Sequence, residues 1–248
     1  MNRLTYFVAL VLLSFVVTTS FAQNISINQD LNGSVYLFDA DRKSYTYIDS
    51  VNLGAMYRVK VLDHTRVRIF FRNGKDSLSK DYIIGKSLVE GGKFLLISSI
   101  GSRLTYRYSE SDFYVDAKMN FGNLWIYKGK ELLCAYNPFY RGWLSAFIQC
   151  VPTALDTQSQ TILIEERISP DSYLFGNYKK HVREISYRKD NFCQTVWESQ
   201  LSSNASYSFD KKYIMYYSKK RKKEVVSYYN KLTNTEFEDR SSVVAFWL

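Results

Sequence analysis

Histidine is nearly missing from this chain: His64 and His181 are the only two. Neither stands beside a patterned Ser, Cys or carboxylate. No Gly-x-Ser-x-Gly elbow, His-Glu-x-x-His helix, phosphate loop or dinucleotide fingerprint occurs either. Both histidines are therefore read as turn or surface residues, and no enzyme, cofactor or metal site is expected. Cysteine is also scarce, at three. There is no Cys-x-x-Cys pair and no Cys/His ligand spacing, which excludes the common zinc and redox motifs. Cys134, Cys150 and Cys193 permit at most one internal bridge. Cys134–Cys150 is the shortest closure and the pairing expected if one forms; three buried thiols are the alternative. Only 3 Pro and 11 Gly among 248 residues argue against a linker-rich or disordered chain.

A long apolar run is absent after the first 22 residues. Residues 1–22 themselves read as a secretory leader: Met1-Asn2-Arg3 is basic, Leu4 to Val17 is apolar apart from Thr5 and Ser14, and Ser20-Phe21-Ala22 offers small residues for cleavage. The apolar run is too short for a spanning helix, which needs about 20 residues. The sequence thus predicts a leader over 1–22 and a secreted β-rich domain over 23–248, with a subdivision suggested by the polar stretch near 152–160. No transmembrane helix is expected once the leader is removed. The product is expected outside the cell, or in the periplasm or envelope of a bacterial source.

What the chain does have is aromatic side chains, 21 Tyr and 16 Phe. These favour the pleated, half-buried surface of a strand. Short aromatic or β-branched runs alternate with polar turns. Val35–Phe38 and Tyr45–Ile48 flank Asp39-Ala40-Asp41-Arg42-Lys43, a hairpin connection. Met56–Leu62 and Val67–Phe71 form another pair, ending in the tight-turn dipeptide Asn73-Gly74. Leu104, Tyr106, Tyr108 and then Val115, Ala117, Met119 alternate apolar with polar, as strands over a core do. Leu124–Tyr127 with Leu132–Tyr136, and Tyr213–Tyr217 with Val225–Tyr229, continue the pattern. The fold class is mainly β, an antiparallel meander, sandwich or barrel-like architecture with one or two short helices. The clearer helix is expected after Gly142, where Trp143, Ala146, Phe147 and Cys150 fall at helical spacing. Leu78, Tyr82 and Val89 hint at the other. The strings Ile69-Phe70-Phe71-Arg72, Trp125-Ile126-Tyr127-Lys128 and Met215-Tyr216-Tyr217-Ser218 resemble one another at unequal intervals, a weak sign of repetition.

Charge is the last feature, at a formal +9. Outside the cytosol that surplus suits an acidic glycan, an anionic lipid surface or an acidic protein, while no nucleic acid partner is expected. Its densest part is Lys211-Lys212, then Lys219-Lys220-Arg221-Lys222-Lys223, around Tyr216 and Tyr217. These are the candidate binding residues, read as one basic hairpin; a solvated turn kept from edge aggregation by its lysines is the alternative. Glu165-Glu166 and Glu110/Asp112 are the tightest acidic pairs, and glycoside hydrolysis needs two carboxylates. Asp39, Asp41 and Asp49 lack the Gly and terminal Glu of a calcium loop. The leading reading is a secreted, non-enzymatic binding protein. An outer-membrane β-barrel is the first alternative, and a secreted hydrolase with a carboxylate site the second. Asn24-Ile25-Ser26, Asn32-Gly33-Ser34 and Asn204-Ala205-Ser206 are glycosylation sequons.

Overall fold

The protein is described by a computed structural model covering residues 24–51, 53–84, 92–109, 111–119, 122–138, 147–169, 179–188, 191–220 and 223–248. The leader expected over residues 1–22 lies outside these residues. Twenty-one strands and no helix occur among the described residues, and they form five separate sheets.

The first sheet holds β1 (Ile25–Asp30), β2 (Ser34–Asp39) and β3 (Ser44–Ser50), joined on its other side by the last strand of the chain, β21 (Ser242–Trp247). The second holds β4 (Ala55–Val61), β5 (Arg66–Asn73) and β6 (Asp76–Ile83). The third runs β7 (Phe94–Ile100), β8 (Arg103–Tyr108), β9 (Phe113–Lys118), β10 (Leu124–Lys128) and β11 (Glu131–Tyr136). The fourth holds β12 (Phe147–Asp156), β13 (Thr161–Ser169), β14 (Lys179–Ser186) and β16 (Gln194–Gln200). Between β14 and β16, the two-residue β15 (Asn191–Phe192) crosses to pair in parallel with β11 of the third sheet. The fifth is β17 (Ser202–Tyr207), β18 (Tyr213–Lys220), β19 (Lys223–Asn230) and β20 (Thr235–Asp239). All other pairings are antiparallel hairpins between sequence neighbours, except where β16 reaches back to β14 and β21 to β1.

Apolar faces stack each sheet on the next. Ile27 and Val35 of the first sheet pack with Met56, Ile69 and Phe71 of the second. Val115, Ile126 and Cys134 of the third pack with Cys150, Ile164 and Ile185 of the fourth. Leu163 and Val182 of the fourth meet Ile214 and Tyr216 of the fifth. Tyr228 and Met215 of the fifth close on Phe38 and Ala245 of the first. Four of the five junctions are thus packed, with β4 against β21, β17 against β12 and β12 against β7, and residues of the second and third sheets line one common cavity. This is the arrangement of a five-bladed β-propeller in which the chain's last strand completes its first blade. Among the described residues no buried cluster joins the second sheet to the third.

Buried polar groups fix the blades' relative positions. Gln29, almost fully buried, donates from Nε2 to the Gly54 carbonyl at 3.0 Å and accepts the Met56 N–H at 2.7 Å, tying first sheet to second. Gly54 needs its φ of +90°, and a Cβ there would stand 2.3 Å from the Arg72 carbonyl oxygen. Three hairpins share one turn. Asp39, Asp156 and Asn230 each accept the backbone N–H groups two and three residues on. The fifth residue of each turn, Lys43, Gln160 or Asn234, is left-handed.

Three expectations are corrected. Among the described residues no sheet closes into a barrel, and the strands run from 2 to 10 residues in separate sheets. The helix expected after Gly142 is a strand from Phe147 onward, because Ile148 and Cys150 alternate with half-exposed Gln149 and Val151; residues 139–146 lie outside the described part. Pro152 is accommodated at a register shift between itself and Ala154. Asp76–Ile83, the weaker helix hint, is strand β6; Val89 lies outside the described residues. The polar stretch at 152–160 is the end of β12 and the hairpin turn into β13.

The disulfide also differs from the shortest closure. Cys134 on β11 bonds Cys193, just after β15, with Cα atoms 5.5 Å apart. Cys150 is a buried free thiol on β12, in a different sheet from Cys134. Proximity follows sheet membership here: β15 lies beside β11 and carries Cys193 to it. The bridge spans a sequence separation of 59. Its reduction is expected to destabilise the fold by roughly 2–4 kcal/mol in the chain-entropy account. A thermal melt with and without a thiol reductant checks this; an unchanged midpoint contradicts it.

Candidate functional site

The ring encloses a central cavity of ≈630 Å3. Tyr57, Val59 and Val61 line it from β4, Thr153 and Ala154 from β12, Ser206 and Tyr207 from β17, and Val243 to Trp247 from β21. Gly92, Lys93 and Tyr108 complete the wall from the third sheet. Val59 and Val61 share one face of β4 with Met56, and the register shift between Met56 and Arg58 turns Tyr57 to the other face, beside Phe70 and Arg72. Trp247 is held in place by its indole N–H, which donates to the Ser206 carbonyl at 3.3 Å.

The candidate basic residues do not form one patch. Lys211 and Lys212 precede β18, while Lys219 to Lys223 surround its far end. A strand of that length separates them by roughly 25 Å, far beyond the Debye length of about 8 Å. Lys212 forms an ion pair with Asp41 and lies 5.2 Å above the Tyr213 ring. The Asp41 hydrogen bond holds its ammonium above the usual lysine range. This lysine clips the fifth sheet to the first. Lys211 turns to the cavity wall, its Nζ 5.7 Å from the Tyr207 ring centre. Burial pulls its ammonium below the usual lysine range.

Tyr216 and Tyr217 are structural. Tyr216 is 1% exposed and meets Trp197 edge-on at 5.2 Å. Tyr217 Oη donates to the Ala245 carbonyl at 3.1 Å and accepts its N–H at 2.8 Å, which fastens β18 to β21. The Tyr216 ring is therefore not available as a flat contact face, while Tyr217 is half-buried and lines the cavity. Alternation along β18 was the available signal, since adjacent residues of a strand face opposite sides and both sides of this sheet are covered.

Lys219 and Lys223 are exposed at the β18–β19 tip; the Lys220 side chain, Arg221 and Lys222 lie outside the described residues. In the hairpin register Lys219 faces Glu224, while Lys220 faces Lys223. Beside the tip runs an open groove of ≈1230 Å3, bordered by Lys223, Glu224, Glu238, Arg240 and the exposed Leu31. Leu31 belongs to the β1–β2 turn of the first sheet and Arg240 to the link from β20 of the fifth sheet to β21 of the first; sequence reading missed both because they are isolated along the chain.

The carboxylate pairs are engaged elsewhere. Glu165 and Glu166 point to opposite faces of β13. Glu165 Oε1 accepts from Arg167 Nε at 2.8 Å. Glu166, fully buried, accepts from the Tyr136 hydroxyl at 2.5 Å and from Arg183 Nε at 3.0 Å. Two adjacent strand residues cannot flank one glycosidic bond. Glu110 lies outside the described residues. Asp156 and Glu184, each 1% exposed by side chain, share Lys231 Nζ at 3.3 and 2.6 Å. Asp39 caps its own turn, and Asp49 is 2.6 Å from Lys80 Nζ. Among the described residues no group of His, Cys, Asp and Glu could hold a metal ion. His64 is exposed in a turn and His181 is half-buried on β14. Of the sequons, Asn24 is 1% exposed and bonds Asp41 and Asp210, while Asn32 and Asn204 are exposed.

No known family matches the chain, and no curated protein is similar to it in sequence. Two solved structures are similar in part. One is a eukaryotic initiation factor, at 11% identity and a TM-score of 0.34 over 90% of this chain; the chain spans 64% of that protein's length. The other is the dihydro-heme d1 dehydrogenase NirN in complex with DHE, at 8% identity and a TM-score of 0.32, covering 92% of this chain and 75% of that one. Likeness at these scores carries neither fold nor function to this chain.

Proposed function

We propose that this is a secreted, non-enzymatic binding protein that meets an acidic partner (an anionic glycan, a lipid headgroup or an acidic protein) through the β18–β19 tip and the groove beside it. The leader at residues 1–22 supports export, to the cell exterior or to the periplasm or envelope of a bacterium. The observation that carries the contact is the hairpin register, which sets Lys220 opposite Lys223. Like charges at opposed strand positions are destabilising, and an anion offsets that cost. By sequence, Lys219, Lys220, Arg221, Lys222, Lys223 and Arg240 outnumber Glu224 and Glu238 by a formal surplus of four. Leu31, 84% exposed at the groove, adds an apolar contact.

Replacing Lys219, Lys220, Arg221, Lys222 and Lys223 with Gln tests the reading. Each basic residue near an anionic surface is worth about 1 kcal/mol. Retention on a heparin column and binding to phosphatidylglycerol vesicles are each measured. A drop of about a hundredfold or more is expected for at least one of them, with a shallower salt dependence. Unchanged binding to both, with an intact melt, removes this contact.

A further inference from the structure

We propose that the central cavity is a second, separate binding site, for a small organic anion with an aromatic or apolar body, and that Lys211 receives its charge. Three lysines cluster at this end of the fifth sheet, and two are neutralised: Lys212 by Asp41, Lys231 by Asp156 and Glu184. Among the described residues no carboxylate lies within ion-pairing distance of Lys211, yet its side chain lines the cavity and is partly out of water. Asp156 and Asp210 reach it only as longer-range charges, so an anionic ligand in the cavity supplies the contact partner from which a partly desolvated cation gains.

Lys211 closes its turn at a φ of +62°, as Lys43, Gln160 and Asn234 close theirs, and its N–H donates to the Ser208 carbonyl at 3.0 Å. The walls fit the rest of such a ligand. Tyr57, Val59 and Val61 offer apolar and aromatic surface on one side, Phe246 and Trp247 on another. At ≈630 Å3 the space falls within the range of about 300–1,000 Å3 typical of small-molecule sites. Glu224 and Val243 line both the cavity and the groove, which adjoin there, while Lys211 lies at the opposite end of the β18–β19 hairpin.

The test is calorimetric titration of the full mature chain with 8-anilinonaphthalene-1-sulfonate and, in parallel, with the neutral N-phenyl-1-naphthylamine. Saturable binding of one sulfonate per chain is expected, with Lys211→Met weakening it by about tenfold or more, as loss of a partly desolvated ion pair should. Lys211→Arg keeps the cation and is expected to restore binding. Affinity for the neutral probe should be the same in all three proteins. Equal sulfonate affinity in the wild type and Lys211→Met overturns the proposal, as does the lack of any saturable binding. Should Lys211→Met fail to fold, the wild-type preference for the anionic over the neutral probe decides: no preference overturns the site. The five-fold Gln variant of the tip is expected to bind the sulfonate normally, which separates this site from the groove.

Discussion

Ending the chain at Ser241 is expected to abolish the cooperative fold. β21 is the only strand that the C-terminal end contributes to the first sheet, and Ile27 pairs with Phe246 and Asn28 with Ala245 across it. The Leu248 N–H donates to the Ile25 carbonyl at 2.9 Å. Without β21, Asn28 loses the Ser242 hydroxyl that accepts its Nδ2–H at 2.9 Å, and Tyr36 loses a 2.6 Å bond to the same group. Tyr217 loses both bonds to Ala245, and Tyr228 loses the edge of Trp247, 5.6 Å away. Several buried polar groups and the junction between first and fifth sheets would open together. Each unsatisfied group costs about 1–3 kcal/mol, and a whole domain is stable by only about 5–15 kcal/mol. Near-ultraviolet circular dichroism and a thermal melt check the result. A truncated chain that melts cooperatively within a few degrees of the full one contradicts it.

Lys231→Met is expected to destabilise by about 3–5 kcal/mol at neutral pH, because it leaves two buried carboxylates without their cation. Asp156 and Glu184 are both inside the fourth sheet's buried layer, and Glu184 Oε1 already accepts from Thr161 and Tyr207 at 2.8 Å each. Burial pushes the Asp156 carboxyl up, but the hydrogen bonds from Ser159 and the Lys231 ammonium outweigh it and hold the group below the usual carboxylate range. A carboxylate with a depressed folded pKa contributes stability above its unfolded pKa, and that stability is lost as pH falls through the folded value. The wild type should therefore lose this contribution on acidification, while Lys231→Met has little of it to lose. The gap between the two proteins is widest near pH 7 and narrows below about pH 4, where carboxylates protonate. Urea unfolding at several pH values measures it. A difference under about 1 kcal/mol at neutral pH would mean that the ion pairs add little.

Local structure was legible because local chemistry wrote it. The runs Val35–Phe38, Met56–Leu62, Leu124–Tyr127 and Tyr213–Tyr217 are all strands, and Asp39 to Lys43 and Asn73-Gly74 are the turns between them. Ring closure was not legible. The pairing of Ile25–Asp30 with Ser242–Trp247 joins residues at opposite ends of the chain, and alternation says which face of a strand is buried, not which strand lies beside it. The disulfide was misjudged for the same reason, since Cys193 reaches Cys134 through β15, a two-residue strand without any pattern. The repetition was real at a level other than the one first noticed. It resides in the turns at Asp39, Asp156 and Asn230, whose shared feature is a side-chain oxygen accepting two backbone N–H groups. The basic cluster looked continuous because a strand of eight residues is short in sequence and long in space. Lys211, Lys212 and the tip lysines consequently stand in three different environments.

The ring itself is tested most directly by nuclear Overhauser contacts between backbone amides in a deuterated sample of residues 23–248. Amide contacts that set Ile27 against Phe246 and Asn28 against Ala245 are expected. Contacts that pair Ser242–Trp247 with any strand other than Ile25–Asp30, or an unpaired C-terminal segment, would contradict a propeller closed by its last strand.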